Sequence, residues 1–312
     1  MIEDHPRLSL ATLPTPVTSL HRLATAAGVD QLLLKRDDLT GFGVAGNKAR
    51  PLEYLLGQAL ASGATTLVGG GAPKSNFIAG LALAARVAGL DCELLVPRGD
   101  HGGESPTVEL ARACGARVHH VDGPREQLDD LIEARSAELT GLGRPAMGIP
   151  RGGSTAVGSL GFAHAAVELA EQVGDGALTI VLPTGSGGSL AGLSAGAALV
   201  GATWRLVGVS VSRPPESARA HIAELADGCA ALLGIRSAAP FELLDGRGER
   251  PDEDREASVR MLASQGLLLD PVYGVRALPT ALALAKDERV LLWHTGGLPS
   301  AFDLARTRGV PA

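Results

Sequence analysis

Apolar positions along the chain fall into two kinds of run. Short Leu-rich or β-branched runs predict strands over Thr66–Gly69, Cys92–Val96, Arg117–Val121, Thr179–Pro183, Arg205–Val211 and Val290–His294. Ala/Leu-rich stretches between them predict helices over Ala49–Ser62, Asn76–Ala88, Pro106–Cys114, Arg125–Thr140, Gly161–Val173, Ser189–Leu199, Glu216–Leu233, Glu253–Ser264 and Val275–Ala285. This alternation is the mark of parallel α/β architecture. The strand runs are apolar throughout rather than alternating, as expected when helices cover both faces of a sheet. The Gly/Pro/Ser-rich stretch Gly141–Gly161 reads as a crossing between two lobes, and Ala239–Asp254, rich in acidic residues, as solvated surface or a lid.

Composition narrows the function. The chain has 312 residues, 45% hydrophobic and 20% charged, so it can bury a core in one large or two medium domains. Its net charge of −6, without a Lys/Arg run, argues against a nucleic-acid partner. Cys92, Cys114 and Cys229 are far apart and form no metal-ligand spacing, so reduced thiols in a cytoplasmic protein are expected and no metal is. The opening MIEDHPRLSL lacks the basic start and apolar stretch of a signal peptide. The least polar stretch, from about Leu178 to Val211, holds Pro183, a Gly/Ser cluster and Arg205, so no membrane span is expected.

Chemistry concentrates in five segments. KRDDLTGFGVAGNKAR (Lys35–Arg50) puts Lys48 at a helix start behind a glycine-rich turn. The positive end of a helix favours the neutral amine, the form that attacks an aldehyde. The chain has only four lysines, Lys35, Lys48, Lys74 and Lys286, and otherwise uses Arg. LVGGGAPKSNFIAGLALAAR (Leu67–Arg86) runs from a strand through three glycines to Ser75 and Asn76 at a helix start, a pocket suited to a carboxylate. In TIVLPTGSGGSLAGLSAG (Thr179–Gly196), Gly185, Ser186, Gly187, Gly188 and Ser189 turn a strand into a helix, a loop that suits one phosphate monoester. No Gly-Lys-Ser/Thr follows, and the dinucleotide fingerprint fails at Leu190 or at Ser189. LLLDPVYGVRAL (Leu267–Leu278) carries Tyr273. In LLWHTGGLPSAF (Leu291–Phe302), Thr295 is a neutral hydroxyl at a strand's carboxyl end, a double glycine opens a last helix, and His294 reads as structural.

Together these segments resemble the pyridoxal-phosphate enzymes of the tryptophan-synthase-β fold, within them the family of 1-aminocyclopropane-1-carboxylate deaminases and D-cysteine desulfhydrases. PTPVTSLHRLA, KRDDLTGFGVAGNKARPLEYLL, GGGAPKSN, IPRGGSTAVGSLGF, GSGGSLAGL, LLLDPVYG and HTGG follow the family's order over nearly the whole chain. The resemblance implies a fold type II enzyme: two lobes of three-layer open parallel sheets. The large domain would be 1–48 plus 160–312, with 49–159 inserted as a small one. It implies pyridoxal 5'-phosphate as cofactor, a small amino acid as substrate and a homodimer. By position, Lys48 would bond the cofactor aldehyde and, once freed, take the substrate's Cα proton. Asn76 would meet the ring hydroxyl, Gly185 to Ser189 the phosphate, and Thr295 the pyridine nitrogen. Ser75 would hold the substrate carboxylate and relay protons, with Asn76, Phe77 and Tyr273 on the substrate side.

The implied activity is β-elimination, D-cysteine desulfhydrase-like, giving a 2-oxo acid and ammonia. Alternatives are a dehydratase or racemase on the same cofactor, or a catalytically silent homologue. Several positions depart from the family. Lys74 and Phe77 flank Ser75-Asn76 where Gln and His or Gln are frequent, and Phe77 makes the site more apolar. Pro51 replaces a basic residue, which removes one phosphate contact. Gly274 replaces a Glu, and Gly246-Arg247-Gly248 replaces a Gly-Tyr-Gly segment. Cyclopropane opening is thought to need that Glu and both tyrosines, so the departures argue against it.

Overall fold

The computed structural model describes residues 2–98 and 105–298. The first half of the chain forms β1 (Val17–Ser19), α1 (His21–Ala27), β2 (Leu32–Arg36), α2 (Ala49–Ala61), β3 (Thr66–Gly70), α3 (Asn76–Ala88), β4 (Asp91–Pro97), α4 (Pro106–Ala113), β5 (Arg117–Val121), α5 (Leu128–Gly141) and β6 (Ala146–Gly148). There follow α6 (Ala156–Val173), β7 (Thr179–Thr184), α7 (Gly188–Leu199), β8 (Arg205–Ser210), α8 (Pro215–Leu232), β9 (Phe241–Asp245), α9 (Pro251–Gln265), α10 (Gly274–Leu284) and β10 (Val290–His294).

Two sheets result. A six-stranded sheet runs β1-β2-β10-β7-β8-β9, and a four-stranded sheet runs β5-β4-β3-β6. Both are buried on both faces, as their apolar strands require. In the larger sheet Leu33, Ile180, Leu182, Leu206, Leu291 and Trp293 pack with α6, α7 and α8. Their strand neighbours Leu34, Val181, Val207 and Leu292 point the other way, onto α1, α9 and α10. In the smaller sheet Leu67 and Leu94 face α2, α3 and α4, while Val68 and Leu95 face α5.

The architecture matches the expected class with one exception to its parallel character. β1 pairs antiparallel with β2, Val17 opposite Lys35, at the edge of the large sheet. The four-stranded sheet is drawn wholly from residues 66–148, and the expected domain junction at 159/160 falls inside α6.

Several short elements are absent from the sequence expectation: β1, α1, β2, β6 and β9. The segment 239–254, expected as surface or lid, contains edge strand β9 and opens α9. Only Leu243 of β9 is buried, so its composition is that of a loop although its backbone pairs with β8. The crossing 141–161 contains β6 and the first turns of α6, whose N-cap Thr155 accepts from the Gly158 N–H at 2.9 Å. A last helix after the double glycine falls on residues 299–312, outside the described ones.

Glycine in the crossing serves packing rather than punctuation. A Cβ on Gly161 would lie 2.4 Å from the Arg50 carbonyl carbon and oxygen, where α6 crosses α2. Gly161→Ala is therefore expected to cost about 1–3 kcal/mol by overpacking. Gly141→Ala, where a Cβ meets nothing within 4 Å, is expected to be neutral or mildly stabilising. Urea midpoints of the two variants check this; equal midpoints would refute the close crossing.

Candidate active site

The carboxyl ends of β3, β7 and β10 open toward one cleft between the sheets, the usual ligand position in open α/β folds. The segments after these strands, with the Lys48 turn and the 270–273 turn, line one cavity.

Lys48 closes a short 3₁₀ turn, Gly46–Lys48, just before α2. The turn is stitched to the end of β10: the Asn47 N–H donates to the Thr295 carbonyl at 3.1 Å. The Lys48 ammonium donates to the Gly152 carbonyl at 3.0 Å. Burial pushes the amine down to about 8. The helix end invoked from the sequence is thus not the cause of the shift; desolvation is.

Two residues on, Arg50 anchors this turn in a buried ionic cluster. Its guanidinium donates to Asp37 at 2.8 and 2.9 Å, to both Glu168 carboxylate oxygens at 3.0 Å and to Thr15 Oγ1 at 3.0 Å. Trp293 Nε1 adds a 2.8 Å bond to Asp37. Burial acts to raise the Asp37 carboxyl, but the Arg50 guanidinium beside it holds it below the usual carboxylate range. Lys35, buried and donating to Thr15 O and Gln172 Oε1 at 2.7 Å, completes the cluster. Its amine is lowered by burial, which the Glu168 and Asp37 carboxylates only partly offset. Lys35 is therefore structural.

Ser75 is the N-cap of α3, its Oγ accepting from the Phe77 N–H at 3.3 Å. The capping role is real, and Ser75 and Asn76 line the cavity as well. Asn76 Oδ1 is buried with no partner among the described residues. Phe77 borders the cavity, but its ring belongs to the small-sheet core and lies against Gly153. It offers the cleft an apolar wall.

The Gly185–Ser189 loop leads from β7 into α7. Gly187 caps α7 at φ +101°, and a Cβ there would lie 2.6 Å from Ile222 Cγ1. Only glycine fits both demands. Gly185, Ser186, Gly187 and Ser189 line the cavity. Gly188 does not: its N–H donates to Ser154 Oγ at 3.2 Å, and that hydroxyl donates to Ser186 Oγ at 2.7 Å.

Tyr273 lies against Gly185, where a Cβ would come within 3.2 Å of its hydroxyl. Sequence reasoning passed over what holds it there. The buried Asp270 carboxylate accepts from the N–H groups of Val272, Tyr273 and Gly274 at 3.0, 2.6 and 2.8 Å. Asp before Pro at the head of a helix was the available signal. Burial keeps the Asp270 carboxyl above its ordinary value despite these bonds. Thr295 lines the cavity after His294. The Gly296 N–H donates to His294 Nδ1 at 3.2 Å, and Nε2 donates to Leu268 O at 2.9 Å, so His294 is a structural pin, as expected. Arg151 also borders the cavity and was missed.

The expected site residues other than Gly188 thus share one cavity. No group of His, Cys, Asp and Glu among the described residues could hold a metal ion.

This geometry defines a class. The chain belongs to the pyridoxal-phosphate-dependent enzyme family, whose profile matches residues 8–296. A D-cysteine desulfhydrase of Klebsiella pneumoniae (strain 342) is 36% identical to it over 320 residues, 95% of each chain. A Pyrococcus abyssi protein provisionally named 1-aminocyclopropane-1-carboxylate deaminase is 36% identical over 314 residues, 97% of this chain and 94% of that one. A crystal structure described as an ACC deaminase homologue superposes with a TM-score of 0.91 at 33% identity, covering 98% of this chain and 96% of the other. The cofactor is pyridoxal phosphate and the enzyme is a lyase.

The residues present fit that cofactor: a half-buried amine lowered by desolvation, a glycine- and serine-rich loop at the start of α7, and an Asn76 Oδ1 buried without a partner among the described residues. An amine at about 8 makes a kinetic prediction. In cofactor-free protein the rate of covalent capture should rise about tenfold per pH unit below 8 and level off above it, because only the neutral amine attacks. Stopped-flow absorbance from about pH 6 to about pH 9 checks this, and a flat profile would contradict the lowered amine.

Proposed function

We propose that the chain catalyses β-elimination on a small amino acid, with D-cysteine the first substrate to test. The products would be a 2-oxo acid, ammonia and, from D-cysteine, hydrogen sulfide. The observation that carries this reading is the Lys48 amine: half-buried, lowered by desolvation to about 8, and held against Gly152 in the same cavity as Ser75, Ser186 and Ser189.

Bound pyridoxal phosphate supplies the electron sink that makes the substrate's α-proton removable. Lys48 would hold the cofactor through its Nζ and would take the substrate's Cα proton with the same atom. Ser75 and Asn76 at the start of α3 bind the substrate carboxylate, Asn76 also meeting the cofactor ring, and Phe77 keeps that wall dry. The 185–189 loop holds the phosphate. Thr295 meets the pyridine nitrogen with a neutral hydroxyl. The carboxylate nearest to hand, Asp270, is committed to three backbone N–H groups. A neutral hydroxyl at that place would leave the ring nitrogen without an acidic partner, which would suit loss of a β leaving group. Tyr273 faces the substrate side. Residues 49–159 act as the small lobe whose closure brings Ser75 and Asn76 onto the substrate. The reading carries with it a cytoplasmic homodimer.

Desulfhydration is favoured over cyclopropane opening by the tyrosines. The sequence has two, and Tyr54 is buried in α2, its hydroxyl 3.4 Å from His164 Nδ1. It is not among the cavity-lining residues. Arg247, where the second site tyrosine was sought, pairs with Asp245 at 2.8 Å on the surface.

The test is turnover of a panel containing D-cysteine, L-cysteine, D- and L-serine and 1-aminocyclopropane-1-carboxylate, with 2-oxo acid and sulfide assayed. Pyruvate and sulfide from D-cysteine are expected. Production of 2-oxobutyrate from the cyclopropane, with no pyruvate from D-cysteine, would overturn the reading.

A further inference from the structure

A phosphate ester carries nearly two negative charges at neutral pH, and the loop that receives it here is built of amides and hydroxyls. The N-terminus of α7 adds about half a positive charge. Position 51 contributes no cation, since Pro51 stands there inside α2. The balance must come from elsewhere on the cavity wall.

Among the described residues, two cations besides Lys48 line the cavity, Lys74 and Arg151. Lys74 adjoins Ser75 at the start of α3, on the side read as the carboxylate pocket. Arg151 lies in the turn after β6. Its neighbour Gly152 abuts the loop: a Cβ there would lie 2.3 Å from Ser186 Oγ and 3.3 Å from Lys48 Nζ. The Arg151 guanidinium is braced rather than loose. Its Nε and Nη2 donate to the Asp129 carboxylate at 3.0 and 2.8 Å, the Arg151 backbone N–H adds a bond at 2.9 Å, and the side chain is 14% exposed. Asp129 engages Nε and Nη2 and leaves Nη1 as the prong not turned to it.

The surroundings place this pair at the Ser186 end. Asp129, which burial acts to raise, is held below the usual range by Arg151 and further by Arg213. His221 of α8 bonds the Ser186 backbone; burial and Arg213 lower it, and Asp129 acts the other way. Arg151 and Arg213 thus both act on the Asp129 carboxylate near the loop.

Resting on the reading of residues 185–189 as the phosphate site, we propose that Arg151, held by Asp129, is the charge partner of the cofactor phosphate. It offers a charge-assisted hydrogen bond in a fixed direction, worth more than a neutral donor at the same place.

Cofactor-free protein titrated with pyridoxal phosphate and with pyridoxal, which lacks only the phosphate, separates the possibilities by visible absorbance. In Arg151→Gln, pyridoxal phosphate affinity should fall about ten- to hundredfold while pyridoxal affinity stays within about twofold. The unchanged pyridoxal affinity also certifies that the variant is folded. Arg151→Lys, which keeps the charge and loses the fork, should fall between. Equal losses for both ligands would make Arg151 a structural strut and overturn the inference. So would unchanged pyridoxal phosphate affinity with a raised KM for the amino acid, which would assign Arg151 to the substrate. If the wild-type protein bound the two ligands equally, the phosphate reading of the loop would fall, and this inference with it.

Discussion

Lys48→Ala is expected to abolish turnover, by about a thousandfold or more, and to leave the cofactor bound without a covalent link. Two functions are lost together: the nucleophile that captures the cofactor and the base that takes the Cα proton, the latter alone worth about 10²–10⁴. Single-turnover assays and the visible spectrum after denaturation and filtration check it. The variant should fold normally. Lys48 Nζ makes one hydrogen bond to protein, to Gly152 O, and burying an amine costs energy, so its removal does not harm the core. A variant that retained activity within tenfold would sink the assignment.

The second large effect is on stability. Arg50→Met should cost about 3–5 kcal/mol, since it leaves the Asp37 and Glu168 carboxylates buried without their principal counter-charge. Replacing the whole cluster by apolar residues should cost far less, because a buried ion pair mostly offsets its own desolvation. Equilibrium urea unfolding distinguishes the two, and a loss under about 1 kcal/mol in Arg50→Met would contradict it. Acid acts through the same group. The Asp37 carboxyl is lowered in the folded state, so its contribution is complete above about pH 4. It is lost as pH falls through the lowered folded value. Arg50→Met should abolish that step in the acid-unfolding profile. The consequence reaches the site: Arg50 lies two residues from Lys48, so the cluster decides where the amine sits.

How far the site was legible depended on whether a role needed neighbours in sequence. A loop that cradles a phosphate needs consecutive glycines before a helix, so Gly185–Ser189 could be read directly. The same holds for Ser75 and Asn76, an N-cap and the residue after it, and for Lys48 behind a glycine turn. Gly188 stands apart from the other loop residues because its amide is engaged by Ser154, which a continuous motif hides. For Lys48 the sequence pointed to a helix end as the cause of a lowered amine, whereas desolvation is the cause, and desolvation cannot be seen in a string. Phe77 was expected in the pocket, but a helix start does not reveal that its ring turns into the small-sheet core.

Roles resting on distant partners were illegible. Lys35 meets Glu168 across 133 positions, and Trp293 meets Asp37 across 256. Arg151 reaches Asp129 over 22 positions, between an irregular turn and a helix start. Edge strands β1 and β9 escaped for another reason. An edge strand satisfies its backbone on one side only and needs little burial, so its composition does not differ from a loop.

By itself, then, the sequence determined the parallel α/β class and the cofactor family, because hydrophobic period and local glycine turns are short-range properties of a chain. Tertiary structure alone decided the burial that lowers the Lys48 amine and the carboxylate that pins the Tyr273 turn. It also decided the charge cluster behind Arg50 and the cation beside the phosphate loop. Each of these depends on desolvation or on pairing between residues that only the folded chain brings within hydrogen-bonding distance.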